Sequence, residues 1–201
     1  MEFIEDIEAL TALYGAPGAP SLRKVVDHLT PLYRQWIMSS RLCVLSTVGP
    51  EGVDGSPRGD DGPVVLELDP KTLASPDWRG NNRLDSLRNI VRDPRVSLMF
   101  MVPGSNNVVR VNGSARVTAD EALRARFDKN GKHPATVIVI SITEIYSQCA
   151  RALMRSGTWS AEDESANLPS VGQLLAEASS GEEGGAQYDK DWGPRAAKTM
   201  W

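Results

Sequence analysis

The sequence predicts a mainly β domain with flanking helices, a closed antiparallel barrel of about six strands. Two observations carry that prediction. Strand-sized runs rich in β-branched residues (LCVLSTV, VVLELD, RVSLMFMV, VVRVNGSARV and ATVIVISITEIY) follow one another through the middle of the chain, several divided by Pro/Gly turns. Helical spacing of apolar residues is concentrated at the two ends, with only short helices between strands, which disfavours a doubly wound βαβ sheet. A length of 201 residues suits one well-cored domain, expected over 1–178 with N-terminal helices in 3–39 and a tail over 179–201.

At the N-terminus Ile4, Ile7, Leu10 and Leu13 recur every three residues, Tyr14 extends the stripe and Gly15 can end a helix. After the APGAP break, Ser21 can cap a second helix carrying Leu22, Val25, Val26 and Leu29. Thr30-Pro31 starts a third, with proline in its first turn, leading to Leu32, Trp36 and Ile37. Each of these apolar faces needs a surface to cover. LCVLSTV is the first strand, and Pro50-Glu51-Gly52 turns it toward the short partner VDGS. Val64–Asp69, bounded by Gly62-Pro63 and Asp69-Pro70, alternates as a half-exposed strand should.

Lys71–Asn82 is rich in Pro, Asp, Gly and Asn and reads as a loop. A helix is expected to start at Asn82 as N-cap, with Leu84, Leu87, Ile90 and Val91 at helical spacing. Asp93-Pro94 stops it, and RVSLMFMV is apolar enough to be a strand buried on both faces. Pro103-Gly104 turns the chain into VVRVNGSARVT, and Thr118 with Glu121 has the spacing of a capping box for a short helix. ATVIVISITEIY is the most β-prone stretch and is expected at the centre of the sheet. SQCARALMRSGTW and LPSVGQLLAEA then read as helices, and the residues beyond Ser179 as a flexible tail with Trp192 and Trp201 as tethers.

Composition narrows the function classes. A net charge of −4 argues against a nucleic-acid or membrane-surface partner, since both favour a basic face. Cys43 and Cys149 are far apart, with no C-x-x-C spacing and no histidine companion, so neither a disulfide framework nor a metal site is indicated. Both are expected to be reduced, buried, small apolar residues. The acidic MEFIEDIEAL start lacks signal-peptide features, and no apolar run nears the roughly 20 residues of a membrane span, so a cytoplasmic protein is expected. His28 and His133 lie in contexts that suggest structural or exposed roles.

Within this acidic chain one stretch is locally basic. From Asp54 to Arg116, the arginines Arg58, Arg79, Arg83, Arg88 and Arg110 are interleaved with glycines and asparagines. Guanidinium forks and bare backbone N–H groups therefore occur together, and Gly80-Asn81-Asn82 leads into a helix N-terminus. That combination suits a phosphate-bearing cofactor, with Gly80 and Gly113 equally explicable as turn or bulge glycines.

The motifs in this stretch, Ser56–Asp60, Arg79–Arg83 with Asp85-Ser86-Leu87 and Asn89, Asp93–Val96 with Phe100 and Val102–Gly104, and Val109–Gly113, continue into Gln148–Ala152 with Ser156 and Trp159. In this order they resemble the pyridoxamine 5'-phosphate oxidase-like FMN-binding split barrels, over about residues 3–175 and closest to a bacterial branch. The chain departs from that branch at Gln148 (usually His), at Arg151 (usually Lys) and at Trp78-Arg79, which precede Gly80 where proline is common.

The resemblance implies a split β-barrel homodimer with FMN at the dimer interface and a small-molecule substrate. It implies cofactor-binding roles for Ser56, Arg58, Gly59, Gly80, Asn81, Asn82, Arg83, Ser86 and Arg110. Of these, Arg58, Asn82, Arg83 and Ser86 are expected on the phosphate and ribityl chain, and Arg110 on the phosphate or the flavin edge. Trp159 and Trp192 are candidates for stacking on the isoalloxazine ring or for an apolar contact across the dimer. No catalytic residue is assigned. Two functions remain open: a flavin oxidoreductase passing hydride or electrons between a reductant and a small organic substrate, and a non-catalytic flavin- or haem-binding or sensing dimer.

Overall fold

The structure, a computed structural model, describes residues 1–201. Seven antiparallel strands form one sheet: β1 (Leu42–Gly49), β2 (Gly52–Gly59), β3 (Leu66–Asp69), β4 (Thr72–Asp77), β5 (Arg95–Met101), β6 (Val108–Thr118) and β7 (Thr136–Gln148), in the spatial order β2-β1-β5-β6-β7-β4-β3. The expected fold class holds, with one strand more than expected and one correction. The hydrogen-bonded ladder does not close, because β2 and β3 are both edges. It is nevertheless strongly rolled. Four strands separate β2 from β4, which on a flat sheet would be about 24 Å apart at about 4.8 Å per strand, yet Arg58 of β2 and Asp77 of β4 meet at 2.5 Å. The result is a split barrel.

The roll encloses the core. Leu45, Leu98, Phe100, Val111, Ile138, Ile140 and Ile145 are fully buried inside it, as is Ile37 from the helix α3 (Pro31–Met38), capped by Thr30. β5 was expected to be buried on both faces and is not. Its residues alternate, with Val96, Leu98 and Phe100 buried and the intervening ones partly open, because only the face turned into the roll is enclosed. β7 is central as expected, between β6 and β4.

β4 replaces a stretch that reads as loop. Its sequence TLASPD contains a proline, but Pro76 lies beyond Ala74, the last residue paired to β3, where β4 is itself an edge that tolerates a missing N–H. Gly113 sits at the β6 bulge, where an added Cβ would collide with the Ser141 carbonyl of β7, so the glycine is needed for close approach.

The helices depart more from expectation. α1 (Ile7–Tyr14), capped by Asp6 and ended by Gly15, forms where its pattern predicts, but Ile7, Leu10 and Leu13 remain exposed. α2 shrinks to Ala19–Arg23, because Val26 instead bridges to Ile145 of β7 and draws the chain into extended form. α4 (Asp85–Arg92) begins three residues later than Asn82, after two residues with positive φ, Asn82 at 60° and Leu84 at 62°. In α5 (Glu121–Ala125) the cap is Asp120, while Thr118 accepts from the Asp120 N–H, so the expected capping box does not form. α6 (Arg151–Ser156) and α7 (Val171–Ala178) follow, the latter with a full capping box from Ser170 and Gln173. Beyond Ser179, α8 (Gly185–Thr199) occupies what reads as flexible tail. It packs on α7 through Gly172, whose N–H donates to Asp189 Oδ1 at 2.8 Å. No helix is long and apolar enough to cross a membrane.

Candidate functional site

β2 sets the axis of the site. Asp54, Ser56 and Arg58, followed by Asp60 just past the strand, recur at the two-residue period of a strand and are half-buried, while the residues between them are exposed. They line one side of an open cleft of about 1670 Å³, and from Asp54 to Asp60 the row spans about 20 Å at about 3.3 Å per residue. The segment from Asp77 to Leu87, which joins β4 to α4, forms the opposite wall.

At one end, the Ser86 hydroxyl donates to Asp54 Oδ2 at 2.5 Å, tying α4 to β2. Asn81 Oδ1 accepts the Arg83 N–H at 3.1 Å, an Asx turn that shapes the approach to α4. Arg83 itself is 75% exposed and pairs with Asp85 at 2.8 Å. The first turn of α4 therefore opens into the cleft with its backbone donors, although Asp85 already faces its positive end.

In the middle lies Arg58. Its Nη1 pairs with Asp77 at 2.5 Å, both side chains being under a fifth exposed, and its Nε–H has no partner. An unpartnered donor on a buried guanidinium is costly and marks a place where an acceptor can be received.

The far end is aromatic and ionic. Trp78 donates its indole N–H to Asp60 Oδ2 at 3.1 Å, and Lys129 pairs with Asp60 at 2.8 Å and with Asp61. Asp60, followed by Asp61, holds the Lys129 ammonium above its usual range, and hydrogen bonding from Lys129 draws the Asp61 carboxyl below its own. Trp201 stands edge to face with Trp78, centroids 5.1 Å apart and planes at 80°, with the Lys129 ammonium 4.9 Å from its ring centre.

Eight of the nine residues singled out from the sequence, Ser56, Arg58, Gly59, Gly80, Asn81, Asn82, Arg83 and Ser86, line this one cleft. Arg110 does not. It lies on β6 between the buried Val109 and Val111, on the opposite face, with its guanidinium 5.5 Å from the Tyr146 ring centre. Nor do Trp159 and Trp192 line the cleft. Trp159 donates to the Ser105 carbonyl at 2.8 Å and Trp192 is exposed on α8.

The aromatic lining comes instead from Trp78 and Trp201. Carboxylates at Asp54 and Asp60 complete the row, and the alternation in DGSPRGD carries that signal, whereas Asp77, on β4, has no such signal in its TLASPD context. Cys149 is exposed rather than buried. It precedes α6 on the surface, where no apolar neighbours enclose it.

Residues 29–149 match the family described as Pyridoxamine 5'-phosphate oxidase. Among solved structures, a variant of HupZ from Group A Streptococcus superposes with a TM-score of 0.50 at 18% identity, covering 59% of this chain and 98% of that one. General Stress Protein 26 from Bacillus anthracis gives 0.44 at 20% identity, covering 57% and 88%. The FAD binding protein from Mycobacterium smegmatis gives 0.41 at 17%, covering 61% and 97%. A search of curated proteins finds no match.

Proposed function

Starting from a chain that belongs to the pyridoxamine 5'-phosphate oxidase family, we propose that it is an FMN-binding flavoprotein acting as an oxidoreductase, which passes hydride or electrons between a reductant and a small organic substrate. The observation that carries this reading is Arg58, a buried guanidinium with an unpartnered Nε–H at the centre of a cleft that also receives the N-terminus of α4. A phosphomonoester brings acceptors to such donors, and an arginine fork engages it through two hydrogen bonds. Arg83, exposed and held only by Asp85, can turn toward the same anion.

The lining fits FMN in kind: donors near Arg58, Asn82, Arg83 and Ser86 for the phosphate and ribityl chain, and indoles beyond Asp60 for a flat ring. When bound, the flavin supplies the redox chemistry. The residues of this chain would bind and orient it and limit the access of water. The reading extends to a cytoplasmic homodimer with FMN at the interface. The open edge of β2 beside the cleft and the uncovered stripe of α1 support a second copy of the chain.

The purified protein should then carry a flavin absorbance band that bleaches under NADH or NADPH, and sediment at twice the chain mass of 21.9 kDa. A colourless protein that refuses added FMN contradicts the proposal. A non-catalytic flavin- or haem-binding or sensing dimer is the second reading, its haem form favoured by His133, which lines the cleft with its Nε2 3.1 Å from Asp128. A Soret band in place of the flavin band would select the haem form, and a flavin band that no reductant bleaches the flavin form.

A further inference from the structure

The chain carries its own aromatic group into the cleft. Trp201, which follows α8, reaches the end marked by Asp60 and stands edge to face with Trp78 at 5.1 Å. Lys129 holds it from a second direction, at 4.9 Å from the ring centre. Both holding groups are themselves fixed by one carboxylate. Asp60 accepts the Trp78 indole N–H at 3.1 Å and pairs with the Lys129 ammonium at 2.8 Å. Trp201 is thus seated in a built receptor of one indole, one ammonium and one bridging carboxylate.

The element that delivers it is held less firmly. α8 contains no buried residue, and its close packing is on α7, where an added Cβ at Gly172 would meet Asp189. A well-held aromatic tip on an exposed helix is the arrangement of a displaceable group rather than of a core residue.

We propose that Trp201 is an intramolecular ligand of the aromatic end of the cleft, which a planar ring of the incoming ligand must displace to lie against Trp78. Trp201 thereby sets how tightly any planar ring binds at that end. This inference rests on the flavin reading above, with the isoalloxazine of FMN as the planar ring. A receptor that is filled most of the time binds an outside ligand with an affinity lowered by the fraction of time it stands open. Removing the filling group restores the intrinsic value.

FMN is titrated into the full-length wild type, Trp201→Ala and Trp201→Phe, following quenching of flavin fluorescence. Trp201→Ala should bind about tenfold more tightly or better, with Trp201→Phe nearer wild type because a ring is retained. Lys129→Met, which keeps the indole but removes one of its two holding groups, should fall between them. Measurable wild-type binding with unchanged affinity in Trp201→Ala overturns the displacement and leaves the flavin reading standing. Weaker binding in Trp201→Ala also overturns it, since Trp201 would then be a wall of the bound state. No FMN binding by any of the proteins overturns both.

Discussion

Arg58 and Cys43 are paired across the β1–β2 ladder and so project from the same face of the sheet, and their different fates follow from what each meets on that face. Arg58 turns into the cleft toward Asp77, whereas Cys43 is fully buried in the core. Burial pushes the Cys43 thiol up to about 12, with the nearby Arg58 charge offsetting part of the effect. Cys149 lies exposed just before α6. A disulfide-exchange reagent at pH 8 should therefore titrate one thiol per native chain and two after denaturation. Two thiols reacting in the native protein would contradict the burial of Cys43. At this scale much of the site is visible in the sequence, because polar residues at alternate positions in DGSPRGD can face a common side only on a strand. The pairing of Arg58 with Asp77 is not visible, since it depends on a roll that brings the first and sixth strands of the sheet together.

Among the elements, α3 and β3 are joined by one bidentate contact. Arg34 Nε and Nη2 donate to the two Glu67 carboxylate oxygens at 2.6 and 2.7 Å. The Arg34 hydrogen bonds hold the Glu67 carboxyl below its ordinary 4.5 despite some desolvation. The folded state therefore favours the ionised form. The stabilisation is fully present above the unfolded value and is lost as pH falls through the lowered folded one. Both groups are partly solvated, so screening limits Glu67→Gln to a loss of about 0.5–1 kcal/mol at pH 7. Urea midpoints of wild type and variant should differ above pH 4.5 and converge progressively as pH falls below it. A constant difference across that range would show that the loss is packing rather than charge. Elements with strong periodicity and clear punctuation, β1, β7, α1 and α3, form where the sequence predicts them. β4 and α8 do not announce themselves, because each is stabilised by what it lies against: β7 for the proline-bearing β4, and α7 for α8. The start of α4 moved for a similar reason, as the bond between Ser86 and Asp54 and the Asx turn at Asn81 fix the chain before Asn82 can act as a cap.

At the scale of the whole molecule, the split in the barrel is what creates the cleft. A ladder closed between β2 and β3 would bring a neighbouring strand against the β2 edge, whereas the open edge leaves a polar row facing a loop and a helix N-terminus. The family resemblance visible in the motif order predicted a split barrel, while strand periodicity alone predicted a closed one. Periodicity reports which face of a strand is buried and carries no information on whether the last strand meets the first. The central claim is that this cleft holds a flavin phosphate through Arg58, and FMN titration of wild type against Arg58→Ala tests it most directly. A charge-assisted contact is worth about 1.5–3 kcal/mol, so the variant should bind roughly 10- to 150-fold more weakly while keeping its fold by circular dichroism. A folded Arg58→Ala protein with wild-type affinity for FMN would contradict the account.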